Sequence, residues 1–173
     1  MEKEVKTNLD SLNDKQHDAV VSEDKRLLVL AGAGSGKTKT LLQKLIYLIE
    51  EKGVSPSSIL AITFTKNATN EMIDRLIISA ETTGEYEKLL FDKKANKADK
   101  DKERYIQQKK YKWIDGLTIK TFHSFCYSVL RNYGVNEFDN KFRIIGDEKK
   151  DEEDELSKHV APETVFEVMY KLL

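Results

Sequence analysis

The run Ala31-Gly32-Ala33-Gly34-Ser35-Gly36-Lys37-Thr38 gathers the residue types needed to hold a polyphosphate. Glycines at 32, 34 and 36 admit backbone angles that a Cβ penalises, so successive N–H groups can converge on one anion. Lys37 adds a mobile cation, and Thr38 adds a hydroxyl suited to Mg²⁺, which prefers oxygen ligands. The usual first glycine of the pattern is replaced by Ala31, a mild change because the later glycines still admit a close anion. The run follows Leu27-Leu28-Val29-Leu30 and leads into an amphipathic segment from Thr40. Strand, glycine-rich turn and helix is the context in which this pattern cradles phosphate, with the helix N-terminus contributing unpaired N–H groups and a positive dipole end. A nucleoside triphosphate site is the expectation.

Positioning that loop requires an alternation of strands and helices, and the chain reads that way. Apolar runs at 27–31, 59–64 and 117–121 predict three strands. Ser11 or Asn13 can cap a short helix before the first of them. After the loop, Leu41, Leu42, Leu45, Ile46, Leu48 and Ile49 make an apolar stripe that Gly53 ends. Thr65 can cap a second helix carrying Ala68, Met72, Ile73, Leu76 and Ile77, and a third carries Phe125, Cys126, Val129 and Leu130. Alternation of this kind implies parallel pairing, with ligands at the carboxyl ends of the strands. Three motifs fall at those ends: the phosphate loop, Thr63-Phe64-Thr65 and Thr121-Phe122-His123. Between the second and third strands, residues 82–113 form a lysine-rich insertion, read as a helical or partly disordered excursion on the surface, anchored by Tyr111 and Trp113. Beyond 134 come a short apolar piece at 142–145, an acidic stretch at 147–155 and an amphipathic helix at about 163–173.

Composition narrows the classes. Of 173 residues, 39% are hydrophobic, enough for a core, and a formal net charge of −1 leaves any nucleic-acid affinity to local patches. The charged Met1-Glu2-Lys3-Glu4 start carries no apolar signal segment, no apolar run suits a bilayer span, and one cysteine, Cys126, excludes an internal disulfide framework. The expectation is a cytoplasmic protein with no membrane partner and no structural metal site.

The ordered motifs resemble the UvrD/Rep/PcrA family of superfamily 1 DNA helicases. Leu12-Asn13-Asp14-Lys15-Gln16 is similar to the family's Q motif, Ala31 to Thr38 to motif I, Ala61-Ile62-Thr63-Phe64-Thr65-Lys66-Asn67-Ala68 with Glu71-Met72 to motif Ia, and Thr121-Phe122-His123-Ser124-Phe125 to the next motif. The resemblance covers roughly residues 11–146, omitting the insertion, and implies a RecA-like P-loop NTPase fold: an incomplete parallel sheet flanked by helices, with a C-terminal helical segment. It implies ATP and Mg²⁺ as cofactors. Gln16 would read the adenine edge, Ala31, Gly32, Ala33, Gly34, Ser35, Gly36, Lys37, Thr38 and Lys39 would surround the phosphates, and Lys37 and Thr38 would serve catalysis, the Thr38 hydroxyl on the metal. It further implies single-stranded DNA as partner, met by Phe64, Thr65, Asn67, Thr121, Phe122 and His123. Here the family's usual Asn-Lys after Thr-Phe-Thr is reversed to Lys66-Asn67.

By the same resemblance, 1–146 is the front of the first motor domain and 147–173 the start of an inserted helical subdomain. The Asp-Glu pair that activates water lies further downstream in such proteins; Asp147-Glu148 imitates it, but its strand is short and interrupted by Arg143. A complete enzyme needs the remaining helicase domains as partners. The functional expectation is one segment of an ATP-dependent 3′-to-5′ helicase or translocase, inactive alone, with the helicase part of a RecB-like nuclease–helicase or a non-catalytic ATP- or DNA-binding module as alternatives.

Overall fold

A computed structural model describes residues 7–32 and 34–133. Within them the chain begins with a short helical turn, Leu9–Ser11, followed by α1 (Asp14–Val21) and α2 (Lys37–Glu50). Strand β1 (Leu60–Thr63) leads into α3 (Lys66–Ala80). The insertion folds as three helices, α4 (Glu85–Phe91), α5 (Lys97–Lys110) and α6 (Lys112–Gly116), before β2 (Thr118–Thr121) and α7 (Phe122–Tyr133). The helix starts follow from local chemistry. Asn13, Thr65 and Asn96 each accept a backbone N–H through the side-chain oxygen at the first turn of α1, α3 and α5.

β1 and β2 pair in parallel, with Leu60 opposite Thr118 and Thr63 opposite Thr121. The core lies between α2, α3 and the insertion. Leu42, Leu45 and Ile46 meet Met72, Leu76 and Ile77, closed from the insertion side by Tyr86, Tyr111 and Ile114. Leu76, Ile77 and Ile114 lose all contact with solvent; burying each such side chain contributes about 1.5–3 kcal/mol. Tyr111 is buried and Trp113 packs against the same cluster, so both anchor the insertion as expected.

Three expectations change. The insertion is helical and partly built into the core rather than a surface excursion, because its aromatic residues supply the apolar area facing α3. Residues 27–31 form no strand: Leu28 and Leu30 are 82% and 87% exposed. A strand exists only as part of a ladder, and no described segment pairs with these residues. The architecture is therefore α/β with a two-stranded parallel sheet, narrower than the three-stranded expectation. Leu41, expected on the buried stripe, is also half exposed. The pieces expected at 142–145, 147–155 and 163–173 lie outside the described residues, as does the Asp147-Glu148 pair. No helix among the described residues is long and apolar enough to cross a membrane.

Candidate functional site

The phosphate loop bends where glycine permits it. Gly34 and Gly36 sit at φ +74° and +83°, the left-handed region that side chains with a Cβ rarely enter. The Ser35 hydroxyl donates to the Gly32 carbonyl at 2.8 Å and tightens the turn. The Lys37 ammonium folds back over the loop, donating to the carbonyls of Ala31 at 3.1 Å and Gly32 at 2.5 Å. These two bonds hold the cation against the turn. The first intrahelical bond of α2 runs from Thr40 N–H to the Gly36 carbonyl, so the N–H groups of Lys37, Thr38 and Lys39 have no partner within the helix. A polyphosphate fits this arrangement of N–H groups, cation and open loop. Thr38 is half-buried in the first turn and offers one oxygen to a metal ion. Ala31 is exposed beside the loop, and Ala33 lies outside the described residues.

Gln16 links the first helix to the loop. Its Oε1 accepts from Asn13 N–H at 3.1 Å while Asn13 Oδ1 accepts from Gln16 N–H at 3.0 Å, a reciprocal cap. Its Nε2 donates to the Ser35 carbonyl at 2.9 Å. A Cβ at Gly36 would stand 2.7 Å from that nitrogen and would displace the Gln16 amide from the Ser35 carbonyl, while φ +83° strains any residue with a Cβ there. Both ends of the Gln16 amide are engaged, and reading a base edge requires it to exchange the Ser35 carbonyl. The segment that carries Gln16 is strapped across α2. Gln43 Oε1 accepts from Asn8 N–H at 2.8 Å, Lys39 donates to the Ser11 carbonyl, and Lys44 donates to the Val20 carbonyl at 2.9 Å. The Lys39 ammonium, expected at the phosphates, is directed to this strap.

The pairing of Thr63 with Thr121 brings the other two motifs side by side, because adjacent strands lie about 4.8 Å apart. Phe64 and Phe122 follow the paired threonines immediately and are 85% and 51% exposed. The His123 ring stands edge-on to Phe122, at 6.2 Å between centroids and 84° between planes. The threonines at this edge also shape the backbone. Thr65 Oγ1 accepts from Ala68 N–H at 3.1 Å, Thr121 Oγ1 accepts from Ser124 N–H at 3.2 Å, and the Thr63 and Thr69 hydroxyls meet at 2.6 Å. Asn67 is exposed in the first turn of α3. Two exposed aromatic rings, flanked by hydroxyls and an imidazole on one edge, can stack on bases and meet phosphates.

Sequence reading missed a buried polar network behind this edge. Arg104 of α5 grips Asp74 of α3 in a fork, Nε to Oδ1 at 2.5 Å and Nη2 to Oδ2 at 3.0 Å. Tyr86 of α4 donates its hydroxyl to the same Oδ1 at 2.5 Å, and Arg104 also pairs with Asp101. Burial, and then the Asp74 carboxylate, push the Tyr86 phenol well above its usual range. For Arg104, burial opposes the charge, but hydrogen bonds to Asp74 and Asp101 outweigh it and hold the guanidinium protonated. Nearby, burial raises the Glu81 carboxyl, but the N–H groups of Tyr86, Glu85 and Glu87 and the Thr83 hydroxyl together bring it below the ordinary value. The sole sequence signal for this network is a lone aspartate inside an apolar helical stripe, which does not identify its partner 30 residues away.

Comparison with known proteins places these features in context. The family model described as the UvrD/REP helicase N-terminal domain matches residues 12–170. A probable DNA helicase II homolog of Mycoplasma capricolum is 33% identical over 95% of this chain and 20% of its own length. DNA helicase II of Escherichia coli is 53% identical over 39% of this chain and 9% of its own. An ATP-dependent helicase/nuclease of Clostridium botulinum is 32% identical over 92% of this chain and 11% of its own. The chain therefore spans a fifth or less of the length of these relatives.

Proposed function

Because this chain belongs to the UvrD/REP helicase N-terminal domain family, we propose that it forms the ATP-binding and single-stranded-DNA-binding part of an ATP-dependent 3′-to-5′ DNA helicase or translocase. The observation that carries the reading is the β1–β2 register, which sets the Phe64-Thr65 and Phe122-His123 motifs on one edge of the sheet. In this reading the glycine loop and Lys37 hold the triphosphate, Thr38 holds Mg²⁺ and Gln16 selects adenine by a donor and an acceptor on one amide. Hydrolysis of bound Mg-ATP would supply the free energy for movement along the strand. Phe64 and Phe122 stack on bases, while Thr65, Asn67, Thr121 and His123 meet the sugar–phosphate backbone. The exposed apolar residues at 27–30 are covered by further strands of the intact motor domain, whose remaining parts supply the water-activating carboxylates and the second ATP-closing surface.

Binding of a fluorescent ATP analogue to the intact gene product and to its Lys37→Ala variant tests the cradle; equal affinities refute it. Titration with single-stranded DNA across salt concentrations tests the track. Neutralising Z phosphates gives a slope near −0.7Z, and a flat response excludes backbone contact. The similarity to a helicase/nuclease over 92% of this chain favours a second reading, the helicase portion of a nuclease–helicase. Nucleolytic activity of the intact gene product separates the two.

A further inference from the structure

The insertion carries a concentration of positive charge unlike the rest of the chain. Residues 93–112 contain nine Lys and Arg against three Asp and Glu, in a chain whose formal total is −1. The helix α5 divides these charges by role. Arg104 and Lys100 face inward: Arg104 grips Asp74, and Lys100 donates to the Leu90 carbonyl at 2.7 Å. Lys102 and Lys109 are exposed on the opposite side, seven residues apart and thus about 10 Å along the helix axis. Between them, Tyr105 is 63% exposed, with the Lys109 ammonium 5.8 Å from its ring centre. The helix also starts beside the proposed DNA edge. A groove of about 900 Å³ runs between α3 and α5, lined by Asn67 and Asn70 on one side and Lys97 and Lys100 on the other.

We propose that the outward face of α5, centred on Lys102, Tyr105 and Lys109, is a second nucleic-acid surface that holds the phosphate backbone of a DNA duplex adjoining the single strand. The proposal rests on the reading of this chain as part of a DNA translocase and adds a contact outside its single-strand track. Charge complementarity selects the occupant. Successive phosphates of a duplex strand wind round its axis, so they stand further apart in space than their axial rise of about 3.4 Å, and two lysines about 10 Å apart along the helix, on flexible stems, reach phosphates one or two steps apart. The Lys109 ammonium lies against the Tyr105 ring and pairs with Asp115 at 2.8 Å, a partner it exchanges for phosphate, and the inward Arg104–Asp74 fork fixes the helix that carries Lys102, Tyr105 and Lys109.

The test compares the intact gene product with its Lys102→Ala/Lys109→Ala variant on two DNAs: a short single strand that fills the track alone, and the same strand joined to a duplex. Lys109 pairs with Asp115 at a half-exposed position, where an ion pair contributes little to stability, so the fold survives; an unchanged melting curve verifies this. The expected result is unchanged short-strand affinity, weaker binding of the tailed duplex, and a salt slope on the duplex reduced in magnitude by about 2. Equal duplex affinity and slope in both proteins overturn the proposal, as does an equal loss on both DNAs. An acidic protein partner would leave both DNA titrations unchanged and so counts against it. Failure of the underlying reading is distinguishable, because it removes single-strand binding from the unsubstituted protein.

Discussion

Replacing Asp74 by alanine should release the insertion from α3 while sparing the phosphate loop. The Asp74 side chain is 9% exposed and that of Arg104 12%, so water screens the pair little. Removing one partner of a buried pair costs about 3–5 kcal/mol, most of it the penalty for stranding the other charge. Asp101 remains to neutralise Arg104, which puts the expectation near the lower end, about 3 kcal/mol. Glu71→Ala is the internal control, since its i,i+4 pair with Arg75 is about half exposed on both sides and is worth about 0–1 kcal/mol. Native-state hydrogen exchange on the intact protein reads the difference locally. A 3 kcal/mol loss lowers amide protection in α5 roughly a hundredfold, whereas the control changes it by less than about fivefold. Protection in α1 and α2, and ATP-analogue affinity, should hold in both variants, because the cradle shares no hydrogen bond with Asp74. Replacing both partners by apolar residues, Asp74→Leu with Arg104→Met, should recover much of the loss. If Asp74→Ala lowers α5 protection no more than Glu71→Ala does, the fork does not hold the insertion and the reasoning fails.

Other substitutions test the remaining links. Phe64→Ala should weaken single-stranded DNA binding by about 1–3 kcal/mol, the worth of one stacked base, with little change in melting because the ring is 85% exposed; unchanged binding in a DNA titration removes Phe64 from the track. Gly36→Ala should disable nucleotide binding more severely than Gly32→Ala, since only the former combines φ +83° with a Cβ 2.7 Å from Gln16 Nε2; equal affinities in an analogue-binding assay would contradict this. Gln16→Ala should lower the preference for ATP over other nucleoside triphosphates in competition binding, and an unaltered preference would deny it the adenine role. Tyr86 carries a pH signature. Its folded pKa is raised from 10.0, so its neutral form contributes stability that is complete below pH 10 and is lost as pH rises beyond it. Tyr86→Phe should therefore flatten the alkaline fall in stability in melting curves taken above pH 10, and an unchanged fall would exclude that linkage.

Sequence alone determined what depends on neighbours a few residues apart. The glycine spacing of the phosphate loop, the Asn13 and Thr65 caps, the apolar stripes of α2 and α3, and the runs that became β1 and β2 are all local, because a turn, a cap or a helical face is specified by its own residues. The anchoring roles of Tyr111 and Trp113 were legible for the same reason: large apolar side chains within a hydrophilic segment have to find a core. Tertiary structure decided the features that join distant parts of the chain. Residues 27–31 have the composition of a buried strand, yet a strand is a property of pairs, and no strand among the described residues pairs with them. The fork between Asp74 and Arg104 was equally invisible, since a charge within an apolar stripe signals a need for compensation without identifying the residue that meets it. The β1–β2 register, which sets two exposed phenylalanines on one edge, likewise arose only when the packing of α3 and the insertion brought segments more than fifty residues apart into one ladder.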